Sequence, residues 1–305
     1  MSYSPLDTVN SKMDTLLKKI KNLFRRRPPR TGIALGGGGA RGLAHIGALQ
    51  VMESHSVPID FIVGTSMGAI VGAAYCQTSS AKEVLARAKN YFENRTHQER
   101  VLKKQLGLSP DSRLARWRKS FSHSYFLLRN SDREALVEEK LLRELVHGLV
   151  EEGEIEDTKV PFWAVAVDLL SGKENALTRG SVRRAARASA SLPGIFPPVR
   201  VDGQLLVDGG VTKVLPVSYA AQWGADEVIT VDVSKEIEES EAPAKGLDIL
   251  FRVNAIARNR LTELDKSAAS LIIRPEVDDY QWYEFSKYEE IIARGREAAR
   301  RALER

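Results

Sequence analysis

Ser66 lies between two glycines in the segment Gly64-Thr65-Ser66-Met67-Gly68. The segment follows a short apolar run, residues 61–63, and precedes a helix-like stretch, so it has the strand–turn–helix context of a nucleophile elbow. Flanking glycines let the chain turn sharply enough to expose a serine hydroxyl, and the following helix N-terminus favours the negative charge that forms on attack. Ser66 is therefore the candidate nucleophile of an acyl hydrolase, with Gly64 and Gly68 as elbow glycines.

A glycine-rich loop, Gly36-Gly37-Gly38-Gly39-Ala40-Arg41-Gly42, lies one predicted βα unit earlier. Free backbone N–H groups at such a strand-to-helix turn can bind a phosphate or a transient oxyanion. We expect a positive φ at Gly38. The candidate oxyanion-hole residues are Gly37, Gly38, Gly39, Arg41 and Gly42.

The same loop satisfies the dinucleotide fingerprint G-x-G-x-x-G, which is weak without its context. A dinucleotide site also requires an acid at the end of the second strand, where it binds a ribose. In this chain Asp60 precedes the second predicted strand, and that strand ends in Gly64-Thr65-Ser66. The sequence thus disfavours a dinucleotide-binding protein, which remains an alternative on the loop alone.

A serine nucleophile needs a base, and none of the five histidines lies in the second half of the chain, where the usual Ser-Asp-His order would place one. His45, after the glycine loop, is expected to make a structural hydrogen bond. A carboxylate that accepts the serine proton directly is the alternative base. Asp168, Asp208 and Asp232 each end a strand-like run, and Asp208 is favoured because Gly209-Gly210 lets the backbone pass close to another loop.

The elements that would position these residues alternate along the chain. Residues 31–35 and 61–63 are predicted strands, and residues 43–54 and 69–77 are predicted helices. Two successive βα units predict a mostly parallel sheet covered by helices. Residues 80–150 interrupt this rhythm with a charged, helix-rich stretch, which we interpret as an insertion or cap. Further strands are predicted at 162–167, 204–207, 227–231 and 271–273, and a helical tail at 288–303.

The net charge of +5 is concentrated near the N-terminus, because residues 1–30 carry +6 and the rest of the chain −1. The main body therefore has no basic footprint for nucleic acid. Residues 1–30 form a predicted basic amphipathic helix that stops at Pro28-Pro29, and we expect residues 1–27 to bind anionic membrane surfaces reversibly. Packing of this helix on the protein itself or on a second subunit is the alternative. Its apolar stripe includes Leu16, Ile20, Leu23 and Phe24.

The composition also indicates a location. Cys76 is the only cysteine, so no internal disulfide can form and a reducing cytoplasm is expected. The chain has no apolar run of about 18 residues and no secretory signal, so we expect a cytoplasmic protein, peripheral at the inner membrane face. No metal or other cofactor is expected, because no His/Cys cluster or calcium-loop pattern is present.

Together, Gly37-Gly38-Gly39-Ala40-Arg41-Gly42, Gly64-Thr65-Ser66-Met67-Gly68 and Asp208-Gly209-Gly210 resemble the motifs of patatin-like phospholipases, in the same order and with similar wide spacing. Ala188-Ser189-Ala190-Ser191-Leu192-Pro193, followed by Phe196 and Pro197, resembles a further stretch of this family. The resemblance is to the bacterial type related to the catalytic domain of neuropathy target esterase.

This resemblance implies a three-layer α/β/α fold, with residues 31–305 forming the catalytic domain. It implies a dyad of Ser66 as nucleophile and Asp208 as base, an oxyanion hole built by the glycine loop, and Gly209 and Gly210 as motif glycines. The implied reaction is hydrolysis of carboxylic esters of lipids, such as phospholipids or lysophospholipids, without a metal. A lipid-binding regulator of the same fold with little turnover is the other alternative.

Overall fold

The structure is a computed structural model and describes residues 29–93, 100–103, 135–237 and 246–304. The predicted amphipathic helix lies outside the described residues, as do residues 94–99 and 104–134 of the predicted insertion. Within the described ranges, no helix is both long and apolar enough to cross a membrane.

The described strands form one eight-stranded sheet in the order β5-β6-β3-β2-β1-β7-β8, with β4 paired to β3. The pairs β1–β2, β1–β7, β2–β3 and β7–β8 are parallel, whereas β3–β4, β3–β6 and β5–β6 are antiparallel. The predicted mostly parallel sheet is confirmed. The strands are β1 Thr31–Leu35, β2 Phe61–Thr65, β3 Phe162–Asp168, β4 Glu174–Leu177, β5 Val199–Val201, β6 Gln204–Asp208, β7 Glu227–Val231 and β8 Leu271–Ile273.

Helices cover both faces of the sheet. Successive side chains of β1 point to opposite faces, so Ile33 and Leu35 join one apolar core while Ala34 joins another. The first core includes residues of α1 to α5 and α8, and the second includes residues of α6, so the three-layer prediction is confirmed. The helices are α1 Ala44–Ser54, α2 Met67–Thr78, α3 Ala81–Glu93, α4 Glu139–Leu149, α5 Val182–Ser189, α6 Val217–Gln222, α7 Gly246–Lys266 and α8 Tyr288–Leu303.

The two ends of the predicted insertion, α3 and α4, pack against the main body. Tyr91 and Phe92 of α3 and Leu142 and Leu145 of α4 are buried in the same core as α1 and α2. Both helices are amphipathic, and burial of their apolar faces ties them to the sheet.

The pairing of β3 determines where the candidate site forms. β2 pairs with β3 as far as Thr65, which lies opposite Val165. Both β4 and β6 pair with Ala166 and Val167, so they must occupy different edges of β3. β6 therefore lies on the edge that β2 occupies, just beyond its end. Because β6 runs antiparallel to β3, its last residue, Asp208, arrives beside the residue that follows β2.

Candidate active site

Ser66 occupies the sharp turn between β2 and α2. Its backbone has φ 56° and ψ −123°, a positive-φ conformation that is rare for a residue with a Cβ. The carbonyl of Ser66 accepts hydrogen bonds from the N–H groups of Ala69 and Ile70 at 2.9 and 3.1 Å, which binds the turn to the helix. Strained residues of this kind persist where the surrounding structure over-determines them, and they cluster at functional sites.

The elbow glycines allow the close packing that this turn requires. A Cβ at Gly64 would lie 2.5 Å from the Cα of Ala69, and one at Gly68 would collide with the carbonyl of Leu35 in β1. Neither position has room for a side chain. Gly64 and Gly68 thus fit the predicted elbow on steric grounds.

A second serine supports the first, and the sequence did not reveal it. Ser66 N–H donates to Ser189 Oγ at 3.0 Å, and Ser189 Oγ donates to the Val165 carbonyl at 2.6 Å. Ser189 therefore connects the end of α5 to both the elbow and β3. It lies in the stretch 188–193 that carried the family resemblance, but neither its residue type nor its spacing indicated this contact.

Asp208 is buried at the end of β6 and contacts the elbow directly. Ser66 Oγ donates a hydrogen bond to Asp208 Oδ2 at 2.6 Å, and Gly210 N–H donates to Asp208 Oδ1 at 2.7 Å. Burial raises the pKa of Asp208 above its ordinary value, and the two hydrogen bonds and the charge of Arg258 oppose this rise. The carboxylate can accept the Ser66 proton without an intervening imidazole.

The other two strand-end acids bind partners away from Ser66. Asp168 accepts hydrogen bonds from Leu205 N–H at 3.0 Å and from the hydroxyl of Ser171 at 2.7 Å. Asp232 lies 2.9 Å from Lys266 Nζ. Neither acid lines the cavity that contains Ser66 and Asp208.

His45 also makes its hydrogen bond to a residue other than Ser66. Burial lowers its pKa to about 4, so the ring is neutral at neutral pH and its Nε2 donates to the Gly36 carbonyl at 2.7 Å. This is the structural hydrogen bond expected for it, and it supports the start of the glycine loop.

The glycine loop leads from β1 through a 3-10 helix, Gly39–Leu43, into α1. Gly37 N–H donates to Val214 O at 2.8 Å, and Ala40 N–H donates to Trp282 O at 2.7 Å. Among the described residues, none accepts a hydrogen bond from the N–H of Gly38 or of Gly39. The amides that remain free for an oxyanion are therefore those of Gly38 and Gly39.

The remaining loop residues have different contacts from those two. The expected positive φ at Gly38 is wrong: its φ is −176°, which is extended backbone, and Gly39 instead has φ 58°. A Cβ at Gly42 would lie 2.6 Å from the Cβ of Met67, so Gly42 packs against the elbow and does not line the cavity. Arg41 lines the cavity, and its Nε donates to the Gly38 carbonyl at 3.3 Å.

Ser66 and Asp208 open into a cavity of about 1420 Å³. Helices α2, α3 and α4 supply an apolar part of its wall, with Ile70, Phe92, Leu142 and Leu145 among the lining side chains. Helix α7 supplies a polar part. A large, mostly apolar cavity with a few polar groups is the usual form of a small-molecule or lipid site. In the part of the chain that the structure describes, no cluster of His, Cys, Asp or Glu could hold a metal ion.

The sequence model of the patatin-like phospholipase family matches residues 33–221, more than half of the chain. The chain belongs to the patatin-like phospholipase family. The matched range includes the glycine loop, the elbow and the Asp208 turn. This finding confirms the family that the motifs predicted.

Curated relatives of this family member come from animals and yeasts. Mouse patatin-like phospholipase domain-containing protein 6 is 28% identical over 287 residues, which cover 85% of this chain and 19% of the relative. Lysophospholipase NTE1 of Debaryomyces hansenii is 27% identical over 286 residues, which cover 85% of this chain and 17% of the relative. The chain thus spans less than a fifth of the length of these two relatives.

Among solved structures, VipD from Legionella pneumophila superposes with a TM-score of 0.43 and 12% identity, over 91% of this chain and 67% of that chain.

The raised pKa of Asp208 predicts how Ser66 responds to acid. With Asp208 as the candidate base, the reaction of Ser66 with a fluorophosphonate probe should slow as the pH falls through a pKa above about 4, the ordinary value for aspartate. The measurement is the labelling rate as a function of pH, with thermal unfolding followed at each pH as the control. A rate that stays constant down to about pH 4 would contradict this assignment.

Proposed function

We propose that this protein is a serine acyl hydrolase that cleaves the carboxylic ester bonds of phospholipids or lysophospholipids, with Ser66 as nucleophile and Asp208 as base. The observation that carries the proposal is the 2.6 Å hydrogen bond from Ser66 Oγ to Asp208 Oδ2 at the wall of a large apolar cavity. Membership of the patatin-like phospholipase family supports it.

In the first half of the reaction, Ser66 Oγ attacks the ester carbonyl carbon and its proton passes to Asp208 Oδ2. Negative charge develops on the former carbonyl oxygen, and the N–H groups of Gly38 and Gly39 are the donors that would stabilise it. The ester C–O bond then breaks, and the departing alkoxide takes the proton from Asp208. The acyl group remains on Ser66 as an ester.

In the second half, a water molecule attacks the acyl-enzyme. Asp208, again ionised, accepts a proton from this water, and the Ser66 oxygen leaves and recovers that proton. The products are a carboxylic acid and the free enzyme. Gly210 N–H holds Asp208 Oδ1 throughout, so that Oδ2 stays directed at Ser66.

The apolar part of the cavity can accommodate a lipid acyl chain. Side chains such as Ile70, Leu142 and Leu145 provide a surface that an alkyl chain can cover, with about 25 cal/mol gained per Å² of apolar area removed from water. The name of the yeast relative, lysophospholipase NTE1, supports a substrate with a single acyl chain.

We further propose that residues 1–27 bring this enzyme to anionic membranes, and that it acts in the cytoplasm at the inner membrane face. Residues 1–30 carry +6 while the rest of the chain carries −1, so the attraction is local. Each Lys or Arg near an anionic surface contributes about 1 kcal/mol, which gives reversible, salt-sensitive binding.

Replacement of either dyad residue should abolish ester hydrolysis. Ser66→Ala removes the nucleophile and Asp208→Asn removes the base, and loss of a nucleophile in a group that acts as a unit can cost about 10⁶-fold in kcat. We expect both variants to fall to background on p-nitrophenyl esters and lysophospholipids and to unfold at temperatures close to that of the wild type. Asp168→Asn and Asp232→Asn should retain substantial activity.

An inactive Asp232→Asn beside an active Asp208→Asn would show that the base is misassigned. Two further results separate the alternative functions. Labelling of Ser66 by a fluorophosphonate without ester turnover would indicate a lipid-binding regulator. Dinucleotide binding without labelling would indicate a dinucleotide-dependent protein.

Gly38→Val should impair the proposed oxyanion hole. A Cβ at Gly38 would lie 2.8 Å from Val233 Cγ2 and 2.9 Å from the Val233 carbonyl, so the loop must move. Loss of one oxyanion donor typically costs about 10²–10³-fold in kcat, and we expect KM to change little. Steady-state kinetics on a soluble ester separates the effect on kcat from the effect on KM. Near-normal turnover would show that the loop has another role.

Deletion of residues 1–27 should abolish binding to anionic vesicles and leave hydrolysis of a soluble ester unchanged. Co-sedimentation of the full-length and Pro28-start proteins with anionic and zwitterionic vesicles measures the first effect. As a matched control, Leu16→Ser with Ile20→Ser keeps the charge and removes part of the apolar stripe. Equal sedimentation of the truncated protein, or its unfolding, would show that this segment is not a membrane anchor.

A further inference from the structure

Helix α7 turns one face towards the candidate active site. Arg258, Asn259 and Thr262 line the cavity that contains Ser66 and Asp208, and their spacing of one, three and four residues places them on one side of a helix. Thr262 is buried and its Oγ1 donates to the Arg258 carbonyl at 2.8 Å. α7 contacts α6, on the other side of the sheet from α3 and α4.

Arg258 lies close to the reacting groups. A Cβ on Gly210 would be 3.0 Å from Asp208 Oδ1 and 3.3 Å from Arg258 Nη2, so the carboxylate and the guanidinium flank the same glycine. The charge of Arg258 also acts on Asp208, whose pKa it lowers. The guanidinium therefore borders the part of the cavity that a bound substrate would occupy beyond its ester group.

Arg258 lacks an acidic partner among the described residues, unlike cations nearby. Lys213 Nζ lies 3.1 Å from Asp265, Lys266 Nζ lies 2.9 Å from Asp232, and Arg274 lies 2.9 Å from Asp278. No carboxylate of the described chain pairs with Arg258 in this way, and its Nε is buried without a hydrogen bond. Burying a charged N–H donor without an acceptor costs free energy. An anion that binds from outside the chain would accept this hydrogen bond and remove the cost.

We propose that Arg258 binds the phosphate of a lysophospholipid or phospholipid substrate and thereby selects phosphate-bearing esters over neutral ones. This inference rests on the proposed function. It adds that the alcohol released from the ester carries a phosphate. A guanidinium suits a phosphate because its planar donors can form two parallel, charge-assisted hydrogen bonds to two phosphate oxygens.

The two kinds of cavity wall then orient the substrate. The acyl chain lies against the apolar side chains of α2, α3 and α4, the ester carbonyl lies at Ser66, and the glycerol unit extends past Asp208 towards α7. In this orientation the phosphate reaches Arg258 and the leaving alcohol lies beside the carboxylate that protonates it. Neutral glycerides fit the same path but leave Arg258 without its anion.

Arg258→Gln tests the proposal, with Arg260→Gln as the matched control. Arg260 is exposed, on the same helix, and does not line the cavity. The substrates are 1-oleoyl lysophosphatidylcholine and 1-oleoylglycerol, which share the acyl ester and differ in the phosphate-bearing group. Both are presented in the same neutral detergent, and kcat/KM is measured as a function of pH for each variant, so that a change in the ionisation of Asp208 is seen separately.

We expect Arg258→Gln to lower kcat/KM for the lysophospholipid by about 10- to 100-fold, mainly through KM, as for loss of a hydrogen bond to a charged group. The loss for 1-oleoylglycerol should be at least tenfold smaller, and Arg260→Gln should match the wild type on both. Equal losses on both substrates would overturn the inference, because Arg258 would then act through Asp208 or through the fold. An absence of loss on the lysophospholipid would overturn it too.

A binding measurement keeps the test independent of turnover. Trp282 lines the cavity, so its fluorescence can report binding of the non-hydrolysable ether analogue of lysophosphatidylcholine and of 1-O-hexadecylglycerol. Arg258→Gln should weaken binding of the phosphate-bearing ether by about 10- to 100-fold relative to the neutral ether. If this holds while Ser66 is unreactive, the hydrolase proposal fails and the phosphate site stands. If the wild type hydrolyses both esters but binds both ethers alike, the phosphate site fails and the hydrolase proposal stands.

Discussion

The shared edge of β3 is the constraint on which the site depends. β2 ends at Thr65 opposite Val165, and β6 ends at Asp208 opposite the next residue, Ala166. The two strands approach from opposite directions, so Ser66, the residue after β2, meets Asp208, the last residue of β6, at 2.6 Å although 142 positions separate them. Moving either strand by one residue would turn its terminal side chain to the other face of the sheet.

The elbow itself is held by contacts from three sides. Ser189 accepts its N–H, the start of α2 donates to its carbonyl, and the absence of side chains at Gly64 and Gly68 lets the surrounding backbone close in. A serine with this positive φ costs of order 1–3 kcal/mol, which these contacts must offset in the folded protein. These contacts fix the backbone that carries the Ser66 hydroxyl, and such preorganisation suits the proposed role of Ser66 as a nucleophile.

Charge is distributed unevenly around the site. Asp232 is buried, yet its pairing with Lys266 and Arg274 lowers its pKa, so it behaves as a structural anion. Asp208 is buried with fewer compensating groups, so its pKa rises above its ordinary value, which is consistent with the proton-accepting role proposed for it. Arg258 has no carboxylate partner among the described residues, and its side chain and that of Asp208 both line the cavity.

Local signals in the sequence determined the glycine loop, the elbow at Ser66, the bounds of β1, β7, β8 and α8, and the family, because turn chemistry and hydrophobic periodicity act over a few residues. Three other features depend on the tertiary structure. The direction of β6 decided which of three similar strand-end acids meets Ser66. The N–H of Gly37 donates to the Val214 carbonyl, a contact that the glycine pattern did not predict, and α7, which no sequence pattern led us to expect, brought Arg258 to the cavity. Each of these joins residues far apart in the chain, so it is decided by strand pairing and packing, which no local pattern of residue types encodes.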